Sequence, residues 1–324
     1  MRMSDLATDP RETECGGDAV DGPVRERHDG VAVALGGPRA MQVRRTLPNR
    51  VRRMVGAWCF LDHYGPEDVT TSAGMRVPPH PHTGLQTVSW LVAGEVLHRD
   101  SLGNLQTIEP GAVNLMTAGR GISHSEESPE QRSPTLHGVQ LWVALPGEHR
   151  DVAPGFEHRA DLPVLADGGA TVTVFLGELG DARSPATAYS PMVGAEVVLD
   201  AGADARLPMR PEWEYAVLVL DGADVVVDGE PLERGPLLYL GTGRSELALA
   251  GGPGRVLLLG GEPFAERIVM WWNFVGSDHE AVVAAREQWN AGDPRFGEVH
   301  GYAGERLRAP TLPSVRLRSR GRTA

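Results

Sequence analysis

Two short pairs of metal-binding residue types stand out: His-Pro-His at 80–82 and His-Ser-Glu at 124–126. In an extended strand, side chains two positions apart project from the same face. Each pair therefore presents two donors side by side, and two such strands facing each other inside a barrel can converge on one ion. Three imidazoles and a carboxylate suit Fe, Mn, Ni, Cu or Zn better than Mg or Ca. The spacing predicts one transition-metal site formed by His80, His82, His124 and Glu126.

Other histidines and acids compete with this set. His98 is as compatible with an exposed strand position as with a pocket, whereas the apolar strand around His137 favours a hydrogen-bonded core histidine. His63 fits either a contact to a metal-binding residue or a structural role. Glu212 and Glu214 precede a strand without a partner histidine, so we interpret both as surface charge.

The elements that would position these residues are short β-like runs. Residues 85–92 and 136–145 are rich in β-branched and aromatic side chains, and both end at turn signals. Strands of this length, separated by frequent turns, indicate an all-β barrel or sandwich. One helix is expected after them, with Ser277 as its N-cap, Glu280 completing a capping box and Gly292 just past its end.

A weak internal repeat relates residues 88–94 to 216–222. The repeat predicts two β-domains in tandem, with a leader at 1–27, a metal-binding domain at 28–168, a second domain at 169–306 and a flexible Arg-rich tail at 307–324. In the second copy, the positions of the two histidine-bearing pairs fall on Pro208, Arg210, Ala248 and Ala250. The second domain is therefore predicted to have no metal site.

Composition excludes several classes of protein. The net charge is −12 and no basic stripe is present, which argues against direct nucleic-acid binding. No segment approaches the roughly 20 apolar residues that cross a bilayer, and the leader has no secretory apolar core. With two cysteines, a disulfide framework is not expected. We expect a cytoplasmic monomer that contacts neither membrane nor nucleic acid.

The motifs together resemble the pirin family. The residues that carry the resemblance are the stretches 60–65, 79–84, 98–104, 116–126 and 136–142, with a weaker match at 260–263. The resemblance covers roughly residues 30–300 and is loose in the second domain. It implies a bicupin, meaning two cupin-type β-barrels, with a C-terminal helix.

The resemblance also implies ligands and activities. The first pirin barrel holds one metal, usually iron as Fe(II), through three histidines and a glutamate that correspond to His80, His82, His124 and Glu126. Some members are similar in activity to quercetin 2,3-dioxygenases, and others are described as redox-responsive regulators. Two departures stand out: Gln86 replaces a glutamate common in cupins, which is expected to alter the pocket's charge and hydrogen bonds, and residues 270–275 are unusually rich in tryptophan.

Two functions are compatible with a single transition-metal site in a bicupin. As a dioxygenase, the protein would act on a small aromatic, flavonol-like enol with dioxygen, and Glu126 would serve as the catalytic general base. As a sensor, an Fe(II)/Fe(III) change would alter contacts with a regulatory protein partner. For the aromatic run 271–274, packing between the domains is expected, with a ligand-stacking surface as the alternative.

Overall fold

The computed structural model describes residues 13–15, 22–35 and 41–319. This part of the chain is built from short strands and one α-helix. The first strands are β1 Thr13–Cys15, β2 Pro23–His28, β3 Val31–Leu35, β4 Met41–Leu47, β5 Trp58–Asp68, β6 Arg76–His82, β7 Leu85–Ala93, β8 Val96–Asp100, β9 Leu105–Ile108, β10 Val113–Thr117, β11 Ile122–Glu127, β12 Thr135–Ala144 and β13 Gly155–Arg159. The later elements are β14 Val164–Asp167, β15 Ala170–Leu179, β16 Ala182–Arg183, β17 Met192–Leu199, β18 Ala203–Pro208, β19 Glu214–Gly222, β20 Val225–Val227, β21 Glu230–Pro231, β22 Leu237–Gly241, β23 Glu246–Gly251, β24 Gly254–Gly261, β25 Ile268–Trp271, β26 Phe274–Gly276 and α1 His279–Ala291, with short 3-10 turns at Gly147–His149 and Pro294–Phe296.

The first barrel combines a seven-stranded sheet, in the order β13-β10-β7-β12-β5-β4-β3, with a four-stranded sheet, β6-β11-β8-β9. Apolar side chains from both sheets meet in one interior cluster, for example Val43 and Tyr64 from the larger sheet with Val77 and Ile108 from the smaller. The two predicted pairs of ligands lie on β6 and β11, which are neighbouring strands of the smaller sheet.

The second barrel repeats this plan. Its larger sheet runs β14-β15-β17-β24-β19-β22-β2 and its smaller sheet runs β18-β23-β20-β21. The interior is aliphatic, with Leu207, Leu247 and Leu249 almost completely buried. The predicted duplication of one β-domain is confirmed.

A continuous apolar core joins the two barrels. Trp90 stacks on Phe175 with ring centroids 5.0 Å apart, and the Trp58 indole donates to the Val193 carbonyl at 3.0 Å. Residues of both barrels and of β25 contribute to this cluster. Because burial of apolar area is the main stabilising contribution to folding, this shared core couples the stability of the two barrels.

The predicted domain limits need two corrections. Residues 23–27, assigned to the leader, form with His28 an edge strand of the second barrel, where β2 pairs with β22. Its polar sequence conceals it, because an edge strand buries only part of one face. The boundary also lies earlier than 168/169, since Gly168 and Gly169 form the turn of the β14–β15 hairpin inside the second barrel. Residues 1–12 and 16–21 of the leader lie outside the described residues.

The helix α1 matches the prediction except at its start. Asp278 is the N-cap, its carboxylate accepting from the Ala281 amide at 2.9 Å, while Ser277 donates to that same carboxylate. A carboxylate also suits the positive end of the helix dipole. Gly292, with φ of 79°, ends the helix as predicted.

The Arg-rich tail is folded for most of its length. The Leu307 amide donates to the Pro79 carbonyl at 2.8 Å, the Trp289 indole donates to the Leu307 carbonyl at 2.7 Å, and Ala309 and Leu317 are buried. The prediction of a flexible tail is therefore wrong for residues 307–319. Its composition reads as disordered because the few apolar residues find their partners only on the helix. Residues 320–324 lie outside the described part.

The tryptophan-rich run 271–274 is core. Trp271, Trp272 and Phe274 pack with Trp289 of α1 and with Phe296. The cluster lies between the C-terminal helix and the first barrel, where the Val275 amide donates to the Thr83 carbonyl at 3.0 Å. Packing was expected, but the partner is the helix rather than the second barrel. No helix among the described residues is long and apolar enough to cross a membrane.

Candidate metal centre

Three of the four predicted ligands converge inside the first barrel. The side-chain donor atoms of His80, His82 and His124 lie within 4.8 Å of one another, and all three residues are buried. The His82 and His124 Nε2 atoms are 3.1 Å apart. Two imidazole nitrogens bound at right angles to one ion, each about 2.1 Å away, would be about 3.0 Å apart. The arrangement fits a transition-metal ion.

Strand pairing produces this convergence. His80 on β6 lies opposite His124 on β11 in the antiparallel register. The chain then turns at Gly84, where φ is 70° and a Cβ would lie 2.3 Å from the Val275 carbonyl oxygen. Glycine is thus required both by the left-handed backbone and by the close approach of β26. β26, the second strand of the β25–β26 hairpin, therefore packs against the turn that directly follows His80 and His82.

Hydrogen bonds on the outer nitrogens orient two of the rings. The His80 Nδ1–H donates to the Pro78 carbonyl at 2.9 Å, which leaves the Nε2 lone pair free. The His124 Nδ1 faces His98 Nδ1 at 3.4 Å, and His98 Nε2 lies 3.2 Å from Asp100 Oδ2. One tautomer set satisfies the whole chain: His124 donates to His98, His98 donates to Asp100, and the His124 Nε2 is free to coordinate.

The environment keeps these imidazoles neutral. Burial lowers the pKa of His80 to about 4. Burial and the neighbouring rings hold the pKa values of His82 and His124 well below their usual range. Because neutral imidazole is the form that binds metal, the site is ready to coordinate at neutral pH. The His82 Nδ1 is buried without a hydrogen-bond partner.

Glu126 borders the same cavity without joining the histidine cluster. The register of β11 shifts between His124 and Glu126, so the pairing is not a plain two-residue repeat. Burial raises the pKa of Glu126 to about 7, against a smaller effect of hydrogen bonding to Ser89. A nearby cation would lower this pKa, because it favours the ionised carboxylate. Coordination by Glu126 stays a prediction.

The cavity beside the cluster is small and enclosed. Its volume is about 10 Å³, room for about one water molecule. Apolar Val43, Met75 and Val77 line it together with Asp62 and Tyr64. Asp62 is locked in a bidentate pair with Arg45 at 2.7 and 2.6 Å. Nothing in the sequence marks this ion pair, because its two residues come from neighbouring strands, 17 positions apart in the chain.

Gln86 does not face the metal cavity. Its amide donates to the Thr117 hydroxyl and to the Thr187 carbonyl, both at 3.0 Å. Alternation along β7 places Thr87 and Ser89, paired with Trp142 and Gln140, on the cavity side instead. The expectation that Gln86 alters the pocket's hydrogen bonds is therefore wrong; Gln86 joins the first barrel to Thr187, which lies between β16 and β17 of the second.

The remaining candidates divide clearly. Of the two alternatives for His98, the pocket position is the observed one, since its ring contacts the outer nitrogen of His124. His137 is the predicted core histidine: its Nε2 lies 2.9 Å from that of His63, which gives His63 a structural role. Glu212 is exposed as expected, but Glu214 is completely buried and accepts from the Gly56 amide at 2.6 Å and the Tyr239 hydroxyl at 2.6 Å. Interpreting Glu214 as surface charge was wrong, since its partners come from distant strands.

Comparisons with known proteins agree with this geometry. The Pirin family model matches residues 40–143 and the model of the pirin C-terminal cupin domain matches residues 194–297. A Pseudomonas aeruginosa protein named "Putative quercetin 2,3-dioxygenase" is 49% identical over 87% of this chain and 89% of its own length. A pirin-like protein of Caulobacter vibrioides is 38% identical over 80% of this chain and 92% of its own.

Solved structures show the same architecture. The crystal structure of a quercetin 2,3-dioxygenase from Acinetobacter baumannii has a TM-score of 0.86 at 43% identity, covering 90% of this chain and 96% of that one. A bacterial pirin from Escherichia coli, crystallised with nickel(II), shares the fold at 20% identity with a TM-score of 0.57, covering 74% of this chain and all of that one. Two tandem barrels with a histidine cluster in the first define a bicupin. The chain belongs to the pirin family.

Proposed function

We propose that the protein is an iron-dependent dioxygenase of the quercetin 2,3-dioxygenase type, acting on a flavonol-like enol. One observation carries the proposal: three neutral imidazoles converge beside a buried carboxylate in an enclosed cavity. Relatives named for this activity support the substrate class. The cytoplasmic location and monomeric state remain predictions.

His80, His82 and His124 would hold the ion, with Glu126 as the fourth ligand or the base. Bound iron would supply Lewis acidity and a route for electrons between substrate and dioxygen. Glu126 would accept the proton of the substrate hydroxyl at a carboxylate oxygen, and the Ser89 hydroxyl would steady that carboxylate. Overall, the flavonol would take up both atoms of dioxygen and lose one ring carbon as carbon monoxide.

The small cavity sets a condition on this proposal. A flavonol fills far more than about 10 Å³, so side chains that line the cavity, such as Val43, Met75 and Val77, must move apart to admit it. Dioxygen and electrons need much less room. The enclosed cavity therefore supports a second candidate, a redox sensor in which an Fe(II)/Fe(III) change acts through contacts with a protein partner.

Aerobic incubation of the metal-loaded protein with quercetin separates the two. Iron- and nickel-loaded samples should be run in parallel, following loss of the flavonol absorbance and release of carbon monoxide. Glu126→Gln should reduce turnover at least about 100-fold if Glu126 is the general base. Glu127→Gln is the matched control, because Glu127 pairs with Arg99 instead.

Absence of turnover at full metal occupancy would defeat the dioxygenase proposal, whereas equal turnover in Glu126→Gln would exclude Glu126 as the general base. The sensor proposal would then gain from limited proteolysis that differs between Fe(II) and Fe(III) samples. Identical digestion patterns would count against the sensor.

A further inference from the structure

A groove of about 390 Å³ lies between the two barrels and shares one lining residue, Val43, with the metal cavity. Gln42, Arg44 and His63 line it from the first barrel, and Arg234 with Gly235 from the second. Its volume is in the range of small-molecule sites. Among the described residues no aspartate or glutamate lines it, although the whole chain carries a net charge of −12.

The two guanidinium groups are differently held. Arg234 donates to the Gly65 carbonyl across the barrel interface, which fixes it at the groove wall. Arg44 makes no hydrogen bond or ion pair with any described residue, yet it lies close to Gly235, where a Cβ would be 3.5 Å from its Nε. One arginine is therefore anchored and the other is free to take a ligand.

His63 gives an independent indication of the local charge. It is 4% exposed and lines the groove, and its Nε2 is engaged by His137 at 2.9 Å. The pKa of His63 is lowered to about 3, mainly by burial and to a smaller extent by the charges of His137, Arg234 and Arg44. Both arginines thus act on one point of the groove, and no acid among the described lining residues offsets them.

We propose that this groove binds a small anionic molecule through its carboxylate or phosphate groups. The guanidinium fork matches both groups in geometry and charge. The Gln42 amide and the His63 ring add neutral polar contacts beside them. This site is separate from the metal centre and does not depend on the proposed dioxygenase activity.

Isothermal titration of the full-length protein with inorganic pyrophosphate, and separately with citrate, tests the site. Arg44→Gln should weaken binding about 10-fold or more, the loss expected for a charged hydrogen bond. Gln42→Glu, which places a carboxylate in the groove, should weaken it further. Arg50→Gln is the matched control, because Arg50 is an exposed arginine that does not line the groove.

The outcomes of these titrations either assign the class of ligand or contradict the proposal. Tighter binding of pyrophosphate assigns a phosphate ligand, and tighter binding of citrate assigns a carboxylate. The proposal fails if neither probe binds below about 10 mM, or if Arg50→Gln weakens binding as much as Arg44→Gln. Arg44 has no partner among the described residues, so its variant should fold, and thermal unfolding would verify this.

Discussion

The first barrel places His80 opposite His124 across β6 and β11, whereas the second places Pro208 opposite Glu246 across the corresponding pair, β18 and β23. Around these positions the second barrel is filled by leucines, while the first holds a histidine cluster beside a cavity. The same strand order thus supports either a solid core or a polar site.

The difference shows how the two copies divide their roles. A buried imidazole nitrogen without a well-formed hydrogen bond costs stability, and among the described residues the first barrel holds one, the His82 Nδ1. The second barrel, packed with aliphatic side chains, contributes a large share of the common core instead. Glu214 of the second barrel also stabilises the interface, because its carboxylate accepts a hydrogen bond from the Gly56 amide of the first barrel.

The largest expected effect is loss of metal from the first barrel. His80→Ala or His124→Ala should remove the bound ion, because each deletes one of three converging nitrogens. Elemental analysis should fall from about one ion per chain to near none. His300→Ala, at an exposed histidine outside the cluster, is the control, and full occupancy in the His80/His124 double variant would contradict the site.

Two core substitutions should show whether the two barrel interiors contribute equally to the free energy of unfolding. Leu249→Ala in the second barrel should lower the free energy of unfolding by about 2–5 kcal/mol, through lost burial and a cavity. His82→Leu in the metal-free protein should cost less than this, because the His82 Nδ1 makes no well-formed hydrogen bond and the change removes only the contact with the His124 Nε2 and a weak one with the Asn273 backbone. Urea denaturation of both variants measures this, and equal losses would argue that the first interior is packed like the second.

The outer partners of the ligands should affect affinity rather than stoichiometry. Asp100→Asn should weaken metal binding about 10- to 100-fold, because it disturbs the chain from Asp100 through His98 to His124. Competition with a chelator would report the affinity. Asp200→Asn, in an exposed turn of the second barrel, should leave it unchanged; equal effects would mean that the Asp100 chain has no special role.

A further expected effect is a pH dependence of the free energy of unfolding that comes from the His63–His137 pair. Burial lowers the pKa of His63 to about 3 and of His137 to about 4, below the usual 6.5. The unfolded state therefore binds more protons between these values. The free energy of unfolding should fall as the pH drops below 6.5, by about 1.4 kcal/mol per pH unit for each proton taken up.

Urea denaturation of metal-free protein at about pH 7 and about pH 5 measures this slope. The double variant His63→Gln/His137→Gln should lose less stability between the two pH values than the wild type. His300→Gln should keep the wild-type slope. An unchanged slope in the double variant would show that the pair does not carry the dependence.

Part of the molecule was predictable because its signals are local. The two-residue spacing of the ligands, the β-branched runs and the Gly292 helix end each depend on a few neighbouring residues. The sequence also indicated the duplication and the lack of donors at the second copy's equivalent positions. These features follow from strand and helix geometry, which repeats over short distances.

Tertiary structure alone decided the rest. The second-barrel position of β2, the burial of Glu214 and the folded state of residues 307–319 depend on partners far along the chain. The Asp100–His98–His124 chain and the groove around Arg44 arise where separate strands meet. Sequence by itself determined which residue types could bind a metal; the packing of two barrels determined which of them face it, because burial and long-range pairing choose the partners.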